Sequence, residues 1–179
     1  MLSKLEMEFS QIKYRWRIHS ELFGLDEKVN LLNRCGGEVF GLTQKLIVYD
    51  TLAALCRLCD SSKSMGQENN SIYNQYEKKK CNLNSSDIQD IDSYLASLKD
   101  NMKDIRVLRN KSMSHNDLKV AENTITLPDV TYDKIDDVLD LIVKILNKMF
   151  NIRGDYESVS RFGSGANKLF RTLEAGERG

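Results

Sequence analysis

The segment LRNKSMSH, residues 108–115, brings together an arginine, an asparagine and one of only two histidines in the chain. These residue types suit chemistry on a phosphodiester. A fixed guanidinium stabilises the extra negative charge of a phosphorane. A histidine that titrates near neutrality moves protons to and from oxygen. Together they can run the attack of a ribose 2′-hydroxyl on its own neighbouring phosphate, with no metal or other cofactor. DNA lacks that hydroxyl and cannot react this way. Arg109, Asn110 and His115 are therefore the candidate catalytic residues, and Lys111 and Ser114 in the spacer are candidate substrate contacts.

Arg109 also stands in an unusual place. Ile91, Leu95, Leu98, Met102 and Ile105 repeat by four and three, the pattern of a buried helical stripe, and the next position on that stripe is Arg109. Stranding a guanidinium there costs several kcal/mol unless a carboxylate or a phosphate meets it. Either Arg109 lies beyond the packed part of the helix, or it pairs with Asp50 or Asp60, or it lines a cleft for an anion. Arg57 and Asp60, three apart on an earlier helix, are candidates to pair with each other or to support Arg109. On one continuous α-helix, Arg109 and His115 stand about 120° apart and about 9 Å along the axis. They do not converge on one atom unless the backbone turns near Ser114 or a second copy completes the site. A two-fold homodimer does the latter naturally.

The elements that must carry these residues are helical. One proline in the chain, with long stretches rich in Leu, Ile, Lys and Asp, favours helix. A first helix is expected over about residues 3–32, with Leu5, Phe9, Ile12, Trp16, His19 and Phe23 as its stripe and RCGG at 34–37 as its stop. A second, over about 38–61, is apolar almost all round, as suits the middle of a bundle, with Asp50, Arg57 and Asp60 as exceptions. Residues 62–85 read as a polar connection with one short helix around Ile72–Lys79 and a solvated Lys78–Lys80 run. Ser86 and Gln89 have capping-box spacing at the start of the third helix. NDLKVAENTITLP, from 116, reads as a long loop or small hairpin. A fourth helix follows Thr131 and closes at NIRG, and the tail either holds a short fifth around Ala166–Glu174 or is disordered. The expected fold is an all-α, up-and-down bundle of four main helices, with residues 1–155 as the domain and 156–179 as a tail.

Composition narrows the function classes. The 26 basic and 26 acidic residues cancel, which counts against a high-affinity nucleic-acid coat protein but not against an enzyme visiting one phosphate. Cys56 and Cys59 form a C-x-x-C inside an apolar helical run with no second pair, which reads as core packing rather than a metal site. The N-terminal residues lack a secretory core, and no run approaches about 18 uninterrupted apolar residues. A cytoplasmic protein with reduced thiols and no membrane partner is expected. His19 and the KYRWR segment at 13–17 lie on or beside the first stripe and read as packing.

IRVLRNKSMSHND resembles the signature of the HEPN superfamily, and with LAALCRLCD on a preceding helix and a polar linker it is similar to the abortive-infection branch called AbiU-like. The resemblance spans roughly residues 36–155. It implies a small bundle that dimerises with its Arg/His motifs facing, and a metal-independent ribonuclease used in toxin–antitoxin or phage-defence systems. On that resemblance Arg109 stabilises the transition state, His115 handles protons and Asn110 orients phosphate or the histidine. The implied partners are RNA and an antitoxin, either a nucleotidyltransferase or a small protein. Some HEPN toxins carry a tyrosine two residues after the histidine for modification by the nucleotidyltransferase; here that residue is Asp117. Other members are non-catalytic modules that bind a nucleotide, a nucleic acid or a protein.

Overall fold

The computed structural model of the protein describes residues 3–114, 126–156 and 165–177, with the backbone alone at 112–114. The expected loop or hairpin after His115 therefore lies largely outside the described residues. What is described is an all-α helical bundle: α1 (Lys4–Phe23), α2 (Asp26–Leu58), α3 (Ile72–Lys79), α4 (Ser85–Leu108), α5 (Tyr132–Phe150) and α6 (Ala166–Glu177). Two-residue strands β1 (Lys63–Ser64) and β2 (Gln67–Glu68) pair antiparallel between α2 and α3. Their turn, Met65–Gly66, has positive φ at both residues, the backbone that tight hairpins require.

The chain divides into two compact units, Met1–Phe9 with Leu52–Tyr156, and Ser10–Thr51 with Glu157–Gly179. In the first unit, α4 and α5 pack along their lengths. Ile91, Leu98, Met102 and Ile105 of α4 are buried, as are Ile135, Val138, Ile142 and Ile145 of α5. Each such side chain contributes roughly 1.5–3 kcal/mol on leaving water. Ion pairs at both ends fix the antiparallel register: Lys148 meets Asp87 at 2.8 Å and Asp90 at 2.7 Å, and Lys134 meets Asp104. The helix starts follow side-chain caps. Thr131 accepts from the Lys134 amide, as expected, but Asn84 rather than Ser86 caps α4, accepting from the Asp87 amide at 2.8 Å. The reciprocal capping box instead closes α1, where the Ser3 amide donates to Glu6 at 2.8 Å and the Glu6 amide to Ser3 Oγ at 3.3 Å. α5 ends on Asn151 in the left-handed region, with Gly154 bonded back to the Asn147 side chain.

In the second unit, Leu22, Phe23, Leu31, Leu32, Ala166 and Phe170 form the core. The short C-terminal helix is present, and Arg34 grips its Glu177 through two hydrogen bonds of 2.7 and 2.9 Å. Trp16 is buried and stacks on His19, ring centroids 4.7 Å apart, which makes both packing residues.

Two expectations for the first half of the chain require correction. The first helix stops at Phe23, not near 32, because Gly24 closes on the Ser20 carbonyl where any Cβ would collide. RCGG does not end a helix; Gly36 leaves helical geometry and kinks α2. α2 is also not buried throughout. Leu52, Leu55 and Leu58 are in the core of the first unit, whereas Val39, Leu42 and Leu46 are 67%, 58% and 58% exposed. Among the described residues, α2 alone is long and apolar enough to cross a membrane, with an 18-residue window of mean hydropathy 1.3.

Candidate functional site

α4 ends at Leu108, and Arg109–Ser114 continue as one π-helical turn. The motif segment thus begins where the hydrogen-bond register of the helix changes, a device common at functional sites. The α-helical spacing that would separate residues 109 and 115 no longer applies. His115 and the side chain of Ser114 lie outside the described residues. Lys111 is half-buried on the π turn.

Arg109 is half-buried at the first position of that turn. Its guanidinium donates to Asn110 Oδ1 at 2.9 Å and lies near enough to the Cys56 thiol on α2 to favour its ionisation. It makes no ion pair among the described residues. The carboxylates weighed as its partners are engaged elsewhere. Asp50 pairs with Arg15 at 2.7 Å in the second unit, and Asp60 pairs with Arg106 at 3.3 Å. Arg106 also donates to the Cys59 carbonyl at the end of α2. Arg57 is largely exposed and meets Glu8 at 3.9 Å, so Arg57 and Asp60 are not each other's partners.

Two arginines one turn apart on α4 therefore meet two cysteines one turn apart on α2. Arg106 is saturated by a carboxylate and a carbonyl; Arg109 has no carboxylate partner among the described residues. Cys56 and Cys59 are fully buried. Burial pushes the Cys59 thiol up to about 12 and raises Cys56 too, in each case prevailing over the nearby guanidinium. The wall behind Arg109 is consequently uncharged. Among the described residues, no group of three or more His, Cys, Asp or Glu side chains is placed to hold a metal ion.

Arg106 was absent from the sequence-level candidates. It lies beside the apolar stripe of α4, and the signal that marks it is its recurrence seven residues after Lys99. Both side chains line a cavity of about 450 Å³ in the first unit, together with Asp60 and, from α3, Tyr73. α3 is held there by its Ser71 cap and by Asn74, whose side-chain amide donates to the Ser62 carbonyl at 3.1 Å. The Lys78–Lys80 run is not merely solvated. Lys78 pairs with Glu68 at 2.6 Å, Lys79 lies over the Phe150 ring, and Lys80 pairs with Asp92 at 3.3 Å.

Within this helical bundle, α4 thus ends in an arginine-led polar turn. The profile of the HEPN family AbiU2 matches residues 1–157, and the chain belongs to that family. No curated protein and no solved structure matches it.

Proposed function

We propose that this protein is a cytoplasmic, homodimeric, metal-independent endoribonuclease that acts as a toxin or phage-defence effector and is held in check by an antitoxin. In the reaction, the 2′-oxygen bonds to the adjacent phosphorus while the bond to the 5′-oxygen breaks. His115 takes the proton from the 2′-hydroxyl, and the imidazole of the second copy returns one to the departing 5′-oxygen. Arg109 neutralises the charge that builds on the non-bridging oxygens. Asn110 fixes the orientation of that guanidinium, and Lys111 and Ser114 lie along the strand. The products are a 2′,3′-cyclic phosphate and a free 5′-hydroxyl.

The observation that carries this reading is the contrast between the two arginines. A half-buried guanidinium without a carboxylate among the described residues, beside one that has both a carboxylate and a carbonyl, is arranged to receive an anion from outside. The second copy has a contact surface available to it. Val39, Leu42 and Leu46 are spaced by three and four on the exposed side of α2, the seam through which two helices pack. Burying six such side chains, three from each copy, gives on the order of 10 kcal/mol. That is of the size needed to offset the lost freedom of association.

The test is cleavage of a mixed RNA in EDTA by wild type, Arg109→Ala and His115→Ala, with the product ends analysed. Cyclic phosphate ends from wild type and none from either variant are expected. An undiminished His115→Ala removes the mechanism. The zero net charge of the chain favours a second reading, a HEPN module that binds a nucleotide, a nucleic acid or a protein without cutting; binding of RNA with no cyclic phosphate formed identifies it.

A further inference from the structure

The cavity beside the arginine pair is chemically uneven in a way that the ribonuclease reading does not use. Arg106 is spent on Asp60 and on the Cys59 carbonyl, so this side of the wall is fixed and neutral. Glu77 of α3 and Lys99 of α4, two turns before Arg106 on the same helix, also line the cavity. Both are exposed, and neither has an ion pair among the described residues. Tyr73 supplies a half-buried aromatic ring, whose hydroxyl is kept neutral because burial raises its pKa. The volume of about 450 Å³ falls within the range of small-ligand sites.

A ligand matching these groups is flat and aromatic, has two adjacent N–H donors on one edge, and carries an anion. Splayed RNA bases are recognised by stacking on aromatic side chains and by hydrogen bonds to their Watson–Crick edges. Guanine alone offers two neighbouring donors there, N1–H and the N2 amino group, which a carboxylate accepts side by side. Adenine and cytosine each place a lone pair beside their one amino donor, and uracil sets its N–H between two carbonyls. A carboxylate is repelled by those acceptors.

We infer that this cavity is a guanine-binding subsite. Tyr73 stacks on the base, Glu77 accepts from N1–H and the N2 amino group, and Lys99 holds the attached phosphate. Arg106, on the cavity wall, precedes Arg109 by three residues, about 4.5 Å of helix rise, so the base occupying the subsite belongs to a nucleotide adjoining the phosphate at Arg109. The placement of the cut next to guanosine rests on the ribonuclease reading; the binding of guanosine does not.

The test titrates guanosine, adenosine and guanosine 5′-monophosphate into the full chain and reads amide chemical shifts or heat. Guanosine binding with a preference over adenosine of roughly tenfold or more is expected. Glu77→Gln, an exposed change that leaves the fold alone, removes the preference. Lys99→Met weakens the monophosphate but not the nucleoside, and Tyr73→Leu weakens both. No response to guanosine up to its solubility limit, or an equal response to adenosine, overturns the inference. Guanosine binding that depends on Glu77, with no RNA cleavage, sustains the subsite and sinks the ribonuclease reading. Cleavage indifferent to guanine and unaltered by Glu77→Gln does the reverse.

Discussion

Removing the Arg106 and Arg109 guanidiniums one at a time separates a stabilising arginine from one held ready for an anion. Arg106→Ala loses an ion pair whose two partners are each 37% exposed, which solvent reduces to about 0.5 kcal/mol. It also strips a charged donor from the Cys59 carbonyl at the end of α2, worth about 1–2 kcal/mol for the unpaired acceptor and the lost cation at a helix C-terminus. The sum, about 1.5–2.5 kcal/mol, lowers Tm by roughly 4–8 °C in a chain of this length. Arg109→Ala loses no ion pair among the described residues, and its stability change stays within about 0.5 kcal/mol, or about 2 °C. Its cleavage rate nevertheless falls about 10²–10³-fold, the usual cost of deleting one oxyanion donor. Thermal unfolding by circular dichroism and single-turnover cleavage of a quenched RNA in EDTA give the two numbers on the same preparations. If Arg109→Ala melts as low as Arg106→Ala and its cleavage falls only in proportion to the unfolded fraction, Arg109 is structural and the reasoning fails.

Other outcomes follow from the same geometry. A maleimide at neutral pH labels the exposed Cys35 and Cys81 of the native chain and leaves the buried Cys56 and Cys59 untouched until denaturant is added; mass spectrometry of the peptides checks this. Because burial raises the Cys59 thiol from 9.0 to about 12, its contribution is complete below pH 9 and is lost as pH rises towards 12, so unfolding monitored across that window shows a decline that Cys59→Ala lacks. Lys148 holds the Asp87 carboxyl below its ordinary 3.8, so that stabilisation is present above about pH 4 and disappears on further acidification. Lys148→Met is expected to be less stable at neutral pH and to flatten the acid limb of an unfolding titration; an unchanged limb counts against the pair. Leu42→Glu with Leu46→Glu is expected to convert the proposed dimer to a monomer in light scattering while helicity is kept. A dimer that survives both changes uses another surface.

The stripes at three- and four-residue spacing were legible because burial on one side of a helix needs nothing more than periodicity. α4, α5 after Thr131 and the anomaly of Arg109 came from that signal, whereas α3 and the C-terminal helix carry only weak periodicity. What escaped was decided by contacts between distant segments. Nothing local says that Asp60 belongs to Arg106 rather than to Arg57 or Arg109, because the pairing depends on how α2 and α4 align. The break at Gly24 falls just where the stripe ends at Phe23, and a single glycine is no firm stop by itself; the approach to the Ser20 carbonyl is what excludes a side chain there. The even spread of apolar residues along α2 concealed the difference between its buried end at Leu52–Leu58 and its exposed Val39, Leu42 and Leu46. Hydropathy reports what a residue favours, not whether a neighbour arrives to cover it.

The C-x-x-C of α2 connects these observations. Thiols are small enough to let two guanidiniums approach the helix, where Arg106 reaches the Cys59 carbonyl and Arg109 meets the Cys56 thiol. They are also acids, and a thiolate at Cys56 would pair with Arg109 and use up its charge. Two neighbouring arginines favour that ionisation, yet burial outweighs both and keeps Cys56 protonated. The thiol therefore packs against the guanidinium without neutralising it. Asn110 acts in the same sense from the other side, since its amide oxygen orients the guanidinium without supplying a counter-charge. An aspartate at 110 or 56 would fix Arg109 as firmly and leave it with little attraction for phosphate. The charge that Arg109 can offer an incoming anion depends as much on the neutrality of Cys56 and Asn110 as on the arginine itself.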